Sequence, residues 1–453
     1  MFKRILVANR GEIALRIIRC CREMDIETVV VYSTADEQSL PVMMATRAVC
    51  IGSAKASESY LNENVIIETA KKMKCDAIHP GYGFLSENAD FARKCEENQI
   101  TFIGPSAEII EKMGDKQSAR KLMQEHGVPV VPGSKDFVES AQEAEALAEQ
   151  IGYPVLLKAS AGGGGRGMRK AFDAKEIRSA YDTARAEAKA AFGNDAMYLE
   201  KLILKPHHIE FQILADKFGN VISLGERDCS IQKRNQKLLE ESPSKVLNDQ
   251  LRKEMGETAI KAAKAAGYFS AGTIEFVLDQ AGNYYFIEMN TRIQVEHPVT
   301  EMVTGVDLIK EQIRIAAGMK MNLKQDDVLL KGHAIECRIN AQQTGKVDFL
   351  HFPAGNGVRV ESHLYSGYEI SPYYDSMIAK IIVHGNTRLE AIRKLRRTLE
   401  EFAIDGVKTN AQFMYLLTYR PDFMLGNYTT AFWEENNEII TRLLEEGEVY
   451  ESK

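Results

Sequence analysis

Two glutamates face each other if residues 273–290 fold as a hairpin. Thr273–Leu278 and Tyr284–Asn290 read as strands around Gln280-Ala281-Gly282-Asn283. A turn centred between Ala281 and Gly282 makes Glu275 and Glu288 cross-strand partners, with Cβ atoms ~5 Å apart. Like charges so placed repel unless a cation lies between them. Asn290, two residues past Glu288, shares their face. Two carboxylates and an amide oxygen suit Mg²⁺, which takes oxygen ligands and is completed by phosphate and water. The plainer reading is a solvated polar sheet face.

The next residues, Thr291-Arg292-Ile293-Gln294-Val295-Glu296-His297-Pro298, continue the alternation. If extended, Arg292, Gln294 and Glu296 project together. An arginine, an amide and a carboxylate beside a metal site form an anion pocket with its own base. Arg292 next to Glu296 would favour the ionised carboxylate. The alternative is a surface strand with a charge pair. Upstream, Gly162-Gly163-Gly164-Gly165-Arg166-Gly167 contains G-x-G-x-x-G. A dinucleotide site needs a helix directly after that loop, whereas Met168–Ala171 looks extended. The loop reads as a flap whose bare N–H groups can close over phosphate oxygens, or else as a disordered hairpin tip. Lys158, on the strand before it, can meet the same phosphates.

These groups need a scaffold, and the chain of 453 residues is long enough for about three domains. Up to about residue 115, strands (Ile5–Ala8, Thr28–Tyr32, Asp76–Ile78, Thr101–Ile103) alternate with helices (Ala14–Met24, Asn64–Met73), which favours a parallel sheet. A helix at Lys116–His126 stops at Gly127. Strands then recur at Pro154–Lys158, Met197–Lys201, Ile209–Ala215 and Asn220–Leu224, with a helix at Ala174–Ala191. The last part is β-rich, with strands at His333–Asn340, Gly357–His363 and Met377–His384 before a helix at Leu389–Phe402. The acidic tail after Thr441 reads as a solvated end. Net charge is −7, from 57 basic and 64 acidic residues, which argues against a nucleic-acid binder. No apolar run approaches the roughly 18 residues of a membrane span, and Ile5–Ala8 is too short for a secretory signal. Seven scattered cysteines without C-x-x-C suggest neither disulfides nor zinc, so the expected compartment is the reducing cytoplasm. Cys20 and Cys21, adjacent on a helix, are not expected to face the core together. Cys229 reads as a buried structural thiol, His297 as a structural hydrogen-bonder and Trp433 as packing.

Ala8-Asn9-Arg10-Gly11-Glu12-Ile13-Ala14, the run His79–Asn88, the four-glycine loop, Glu226-Arg227-Asp228-Cys229-Ser230 and Glu288–Pro298 together resemble biotin carboxylase. The resemblance covers residue 1 to about 440. It implies an α/β (α+β) ATP-grasp fold. The N-terminal Rossmann-like domain would span 1–115. The ATP-grasp domain would span 116–330, with a flexible lid at about 131–203. A β-rich C-terminal domain would span 331–453. Bicarbonate would attack ATP to give carboxyphosphate, which carboxylates biotin carried on a separate protein. Lys116, Lys158, Gly164 and Gly165 match groups around the ATP phosphates. Glu200, Lys201, Leu202 and Ile203 match the strand that reads adenine. His208, Gln232 and Asn235 match residues near the nucleotide. Glu275, Glu288 and Asn290 match ligands for Mg²⁺ or Mn²⁺, two ions in all, agreeing with the hairpin; the two glutamates thereby also contact ATP.

By the same resemblance Lys237, Arg292, Gln294 and Val295 match a bicarbonate pocket. Glu296 matches the catalytic base, and Arg338 the group that stabilises the biotin enolate. Tyr82 and Gly83 border the biotin site. Lys116, Lys158, Lys201, Lys237, Arg292 and Arg338 would make a basic site inside an acidic protein. The implied partners are a biotin carboxyl carrier protein, carboxyltransferase subunits and a second copy of the chain, a homodimer; nucleic acid and membrane are not expected. The expected role is the first half-reaction of acetyl-CoA carboxylase, which supplies malonyl-CoA for fatty acid synthesis. Alternatives are the corresponding subunit of pyruvate or propionyl-CoA carboxylase, an ATP-grasp ligase with an amine acceptor, or a catalytically impaired ATP-binding regulatory subunit. Three departures from the family pattern bear on this. Asn235 replaces a common histidine. The connection Gln342-Gln343-Thr344-Gly345-Lys346 is shorter and close to Arg338. Asn356 stands where an aromatic is common, at a surface linked with the dimer. Met319-Lys320-Met321 resembles a biotin-attachment site, but it follows a helix at Asp307–Ala317 and reads as a decoy.

Overall fold

A run such as Ile5-Leu6-Val7 cannot alternate polar and apolar residues, because both faces of its strand are covered. In the computed structural model, which describes residues 1–160 and 167–451, Arg4–Val7 is the centre of a five-stranded parallel sheet. The spatial order is Arg47–Gly52, Glu27–Ser33, Arg4–Val7, Ala77–His79, Thr101–Phe102. Ile5 and Val7 pack towards helix Gly11–Glu23. Leu6 and Val29 pack with Ile66 and Phe91 on the other side. Sequence reading missed the edge strand Arg47–Gly52, in which only Ile51 is buried. It also misjudged Cys20 and Cys21. Both are buried, because their helix is enclosed in one core that also holds Leu308, Ile309 and Ile313 of helix Leu308–Ala316.

The second sheet has eight strands. Its order is Tyr284–Asn290, Ser270–Leu278, His207–Ala215, Val221–Lys233, Gln236–Ser242, His333–Asn340, Met377–Gly385, Val358–Ser362, with antiparallel neighbours throughout. Gln236–Ser242 bonds directly to His333–Asn340, so one sheet runs continuously past residue 330. The hairpin turn differs from expectation. Leu278 pairs with Tyr284, so the loop is Asp279–Asn283, tied by the Asp279 carboxylate to the N–H groups of Ala281 and Asn283. A bulge at Ile287 then shifts the register by one residue. That shift makes Glu275 and Glu288 partners after all.

A three-stranded antiparallel sheet, Met168–Ala171, Val155–Ala159 and Met197–Lys201, carries helices Ala141–Ile151 and Ile177–Phe192. Lys158 pairs with Met168, and Ala159 N–H donates to Gly167. The glycine loop therefore joins two paired strands, not a strand and a helix; Gly164 and Gly165 lie outside the described residues. The C-terminal part packs helix Arg388–Glu401 on the large sheet. Its acidic end continues helix Phe432–Glu451, with Ile440 buried and Leu444 leaning on the core. Among the described residues no helix is long and apolar enough to cross a membrane.

Candidate active site

The large sheet places charge by register. Glu288 lies opposite Glu275, Glu275 opposite Glu210, and Glu210 opposite Arg227. Directly opposed residues share a face, so three carboxylates and a guanidinium form one row across four strands. Such a row repels itself unless cations fill it. Lys237, from the next strand, does so: Nζ donates to Glu210 at 2.5 Å, Glu275 at 2.9 Å and Glu296 at 2.7 Å. Arg227, fully buried, donates to Glu210, Gln212, Thr273 and Thr300. Two carboxylate clusters bring metal-ligating atoms close together, His208–Glu210–Glu275 and Glu210–Cys229–Glu296. In both, the Lys237 ammonium supplies the cation.

Glu296 is 0 % exposed. Burial alone would raise its pKa, but Lys237, Arg338 and Arg227 hold it well below the usual carboxylate range. Arg338 donates from Nη2 to Glu296 at 3.1 Å and from Nε to Glu240 at 2.7 Å. The expected neighbour, Arg292, is not the group that holds Glu296. Its guanidinium goes to Glu87, Asn290, Gln294 and the Ile293 carbonyl. The reason is that residues 291–296 do not continue the strand. They turn, and helix His297–Thr304 begins directly after Glu296. Arg292 and Gln294 still meet at 3.0 Å, and Gln294 donates to Glu275.

All the described residues that the family resemblance assigns to the site line one cleft of about 1450 Å³. At one end Lys116 opens helix Lys116–Glu125, 3.6 Å from Glu288. Lys158 and Arg120 both pair with the buried Glu200. Lys201 adds no charge there, because its ammonium donates to the Gly152 and Tyr153 carbonyls. Leu202 and Ile203 follow on the same wall. His208 links Glu275 at 2.8 Å to Gln232 at 3.0 Å. Burial would lower the His208 pKa, yet Glu275 raises it overall. Arg234 and Asn235 form the two-residue turn between Lys233 and Gln236, both with positive φ. Asparagine tolerates that conformation well, so Asn235 has a backbone reason to be there. At the other end Tyr82 bonds Glu12, and Gly83 is exposed.

The shortened connection after Ala341 leaves Arg338 on a regular strand opposite Lys380. Asn410 clamps the strand end through the Asn340 N–H and the Arg338 carbonyl, and Ala341 and Gln342 donate to Ser376 and Lys408. His297 is buried, its Nδ1 on the Gln294 carbonyl. Cys229 is buried, and burial pushes its thiol up. Arg120, Glu87, Glu210, Arg227 and Glu240 were missed as site residues. The strand containing Arg227 runs to Lys233, well beyond the expected end at Leu224; a longer strand would have revealed the Arg227–Glu210 pair.

The donor set fits a divalent cation. Glu288 is 37 % exposed to the cleft and has only Lys116 near it as an ionic partner among the described residues. Glu275 already accepts from Lys237, His208, Asn290 and Gln294, so an ion there would share its oxygens with those donors.

Three family models match in order. They are the biotin carboxylase N-terminal domain over 1–110, the carbamoyl-phosphate synthase L chain ATP-binding domain over 115–324, and the biotin carboxylase C-terminal domain over 336–435. Biotin carboxylase 1 of Bacillus subtilis is 55% identical over 443 residues, covering 96% of this chain and 98% of the relative. The biotin carboxylase domain dimer of Hydrogenobacter thermophilus 2-oxoglutarate carboxylase, solved with MgADP, ADP and bicarbonate, is 50% identical. It superposes with a TM-score of 0.93 over 97% of this chain and 99% of that one. Campylobacter jejuni biotin carboxylase, solved as a β-γ-ATP complex, is 49% identical, with a TM-score of 0.93 over 96% and 99% of the two chains.

Proposed function

The chain belongs to the biotin carboxylase family, and we propose that it carboxylates biotin on a carrier protein by way of carboxyphosphate, using ATP, Mg²⁺ and bicarbonate. One observation carries the mechanism. A fully buried, ionised Glu296 sits between Lys237 and Arg338, in the same cleft as Lys116 and Lys158.

In this reading Lys116 and Lys158 hold the ATP phosphates, Gly164 and Gly165 close over them, and Glu200 positions Lys158. Lys201, Leu202 and Ile203 border adenine through their backbone, while His208, Gln232 and Asn235 line the nucleotide. Glu275, Glu288 and Asn290 would hold Mg²⁺ or Mn²⁺, in one or two sites, which screens phosphate charge when bound. Arg292, Gln294, Val295 and Lys237 bind bicarbonate. Glu296 takes its proton, a bicarbonate oxygen attacks the γ-phosphorus, the bond to ADP breaks and carboxyphosphate forms. A carboxylate held so low is a weak base. An anion bound between Lys237 and Arg338 offsets those cations and raises Glu296 towards the range where it can accept a proton. Arg338 then stabilises the charge that develops on biotin as its ureido nitrogen loses a proton, with Tyr82 and Gly83 at the edge of that site.

The three-domain division at 115 and 330, with a lid over 131–203, belongs to the same reading, as do a homodimer, a biotin carboxyl carrier protein, carboxyltransferase subunits and a cytoplasmic location. Acetyl-CoA is the proposed final acceptor, for malonyl-CoA and fatty acid synthesis. The Hydrogenobacter relative favours a second reading, in which a 2-oxo acid takes the carboxyl group. The test is ADP release from MgATP with free biotin. It should require bicarbonate and rise with biotin; cleavage indifferent to both would refute the function. Pull-down of the transferase subunit from the source cell decides the acceptor.

A further inference from the structure

Lys380 is 0 % exposed, among the largest fully buried side chains in the molecule, and no step above uses it. It lies directly opposite Arg338 on the neighbouring strand, so the two long cations stand side by side on one sheet face. Arg338 reaches the carboxylate of Glu296. Lys380 Nζ reaches the carbonyl oxygen of Val295, at 2.8 Å. That carbonyl belongs to the planar peptide unit carrying the Glu296 N–H. Its direction therefore sets the orientation in which the chain enters Glu296. The same peptide precedes helix His297–Thr304, where the chain changes course.

A buried ammonium is costly unless it is paired. Glu12, at the start of helix Gly11–Glu23, supplies the counter-charge 3.1 Å away and accepts from the Tyr82 hydroxyl through the same oxygen. A purely structural ion pair would need only Glu12. The second bond, aimed at the loop that presents Glu296, is the informative one. We propose that Lys380 is a positioning residue for Glu296: it fixes the backbone that presents the base, while Arg338 fixes its carboxylate. Through Glu12 the same ammonium ties Tyr82, and so the border of the biotin site, to the bicarbonate loop.

This inference rests on Glu296 as the base, and the test separates the two ideas. The full chain and the variants Lys380→Met, Lys380→Arg and Glu12→Gln/Lys380→Met are assayed for bicarbonate-dependent ATP cleavage, with ADP affinity measured separately. Lys380→Met is expected to lower kcat/KM for bicarbonate by roughly 10²-fold, the scale of a misplaced reacting group, and to leave ADP affinity unchanged. The double variant removes buried charges of both signs. Its thermal midpoint should return towards wild type while bicarbonate turnover stays low. Lys380→Arg keeps the charge and the fold, and its bulkier head should displace the Val295 carbonyl and lower the same parameter several-fold. Wild-type bicarbonate kinetics in any folded variant would overturn the proposal. If the unaltered protein shows no bicarbonate-dependent cleavage, the proposed function itself fails.

Discussion

Replacing Arg338 with methionine should cost more stability at pH 8.5 than at pH 6, by about 2 kcal/mol. Arg338 serves two buried carboxylates, Glu240 and Glu296. Burial pushes Glu240 up, Arg338 pulls it back and Glu296 adds to the rise, leaving it at about 7 against an ordinary 4.5. A carboxyl raised in the folded state binds its proton there while the unfolded chain has lost it, so stability falls as pH rises from about 4.5. In the unaltered protein that fall ends near 7, where Glu240 ionises beside Arg338. Without Arg338 the carboxyl stays neutral and the fall continues. The two curves separate only above about 7, by about 1.36 kcal/mol per pH unit, which gives the figure above. At pH 6 both proteins hold a neutral Glu240 and the gap reflects only Glu296 and packing. Urea unfolding midpoints of both proteins at the two pH values read this directly. An equal gap at both would refute the account of Glu240. In the same variant biotin-stimulated turnover should drop roughly 10²–10³-fold, while ADP binding, which relies on other residues, persists.

Glu288→Gln should abolish or severely weaken Mg²⁺-dependent turnover yet shift stability by less than about 1 kcal/mol, since the carboxylate is partly exposed and its pair with Lys116 is loose; calorimetric Mg²⁺ binding equal to wild type would refute the ligand assignment. Lys158→Met should weaken ADP binding roughly 10- to 100-fold, the scale of a lost charge-assisted hydrogen bond, and unaltered affinity in calorimetry would remove Lys158 from the phosphate site. For Glu241, burial raises the pKa, but His333 and Arg388 bring it down to about 2. Its stabilisation is therefore full above about 4.5 and lost as pH falls to about 2, worth about 3 kcal/mol. Glu241→Gln should flatten that acid limb, and an unchanged limb in acid unfolding would show that the carboxylate is not held this way.

Much of the fold was legible because local rules decided it. The continuous apolar run at Ile5 marked a strand covered on both faces, and Met197–Lys201, Tyr284–Asn290 and His333–Asn340 matched the observed bounds. The facing of Glu275 and Glu288 was legible too, although the loop is Asp279–Asn283 and it is the bulge at Ile287 that restores the pairing. The extended run after Asn290 failed, because Pro298 sits in the first turn of a helix that already begins at His297. Cys20 and Cys21 failed as well, since helical periodicity assumes one buried face and that helix has more.

The sequence by itself determined the element types, the family resemblance and the residue kinds in the cleft. Side-chain chemistry and local spacing suffice for those. Only the tertiary structure decided which cation serves which carboxylate. Lys237, not Arg292, holds Glu296; the Lys201 ammonium goes to the Gly152 and Tyr153 carbonyls; Glu210, Arg227, Glu240 and Lys380 enter the site at all. Apart from Arg227 and Glu210, those partners come from segments far apart in the chain, brought together by the tertiary fold. A shift of one residue reverses a face, so apart from the Arg227–Glu210 pair, which a longer strand would have revealed, no local reading of composition or spacing could have paired them.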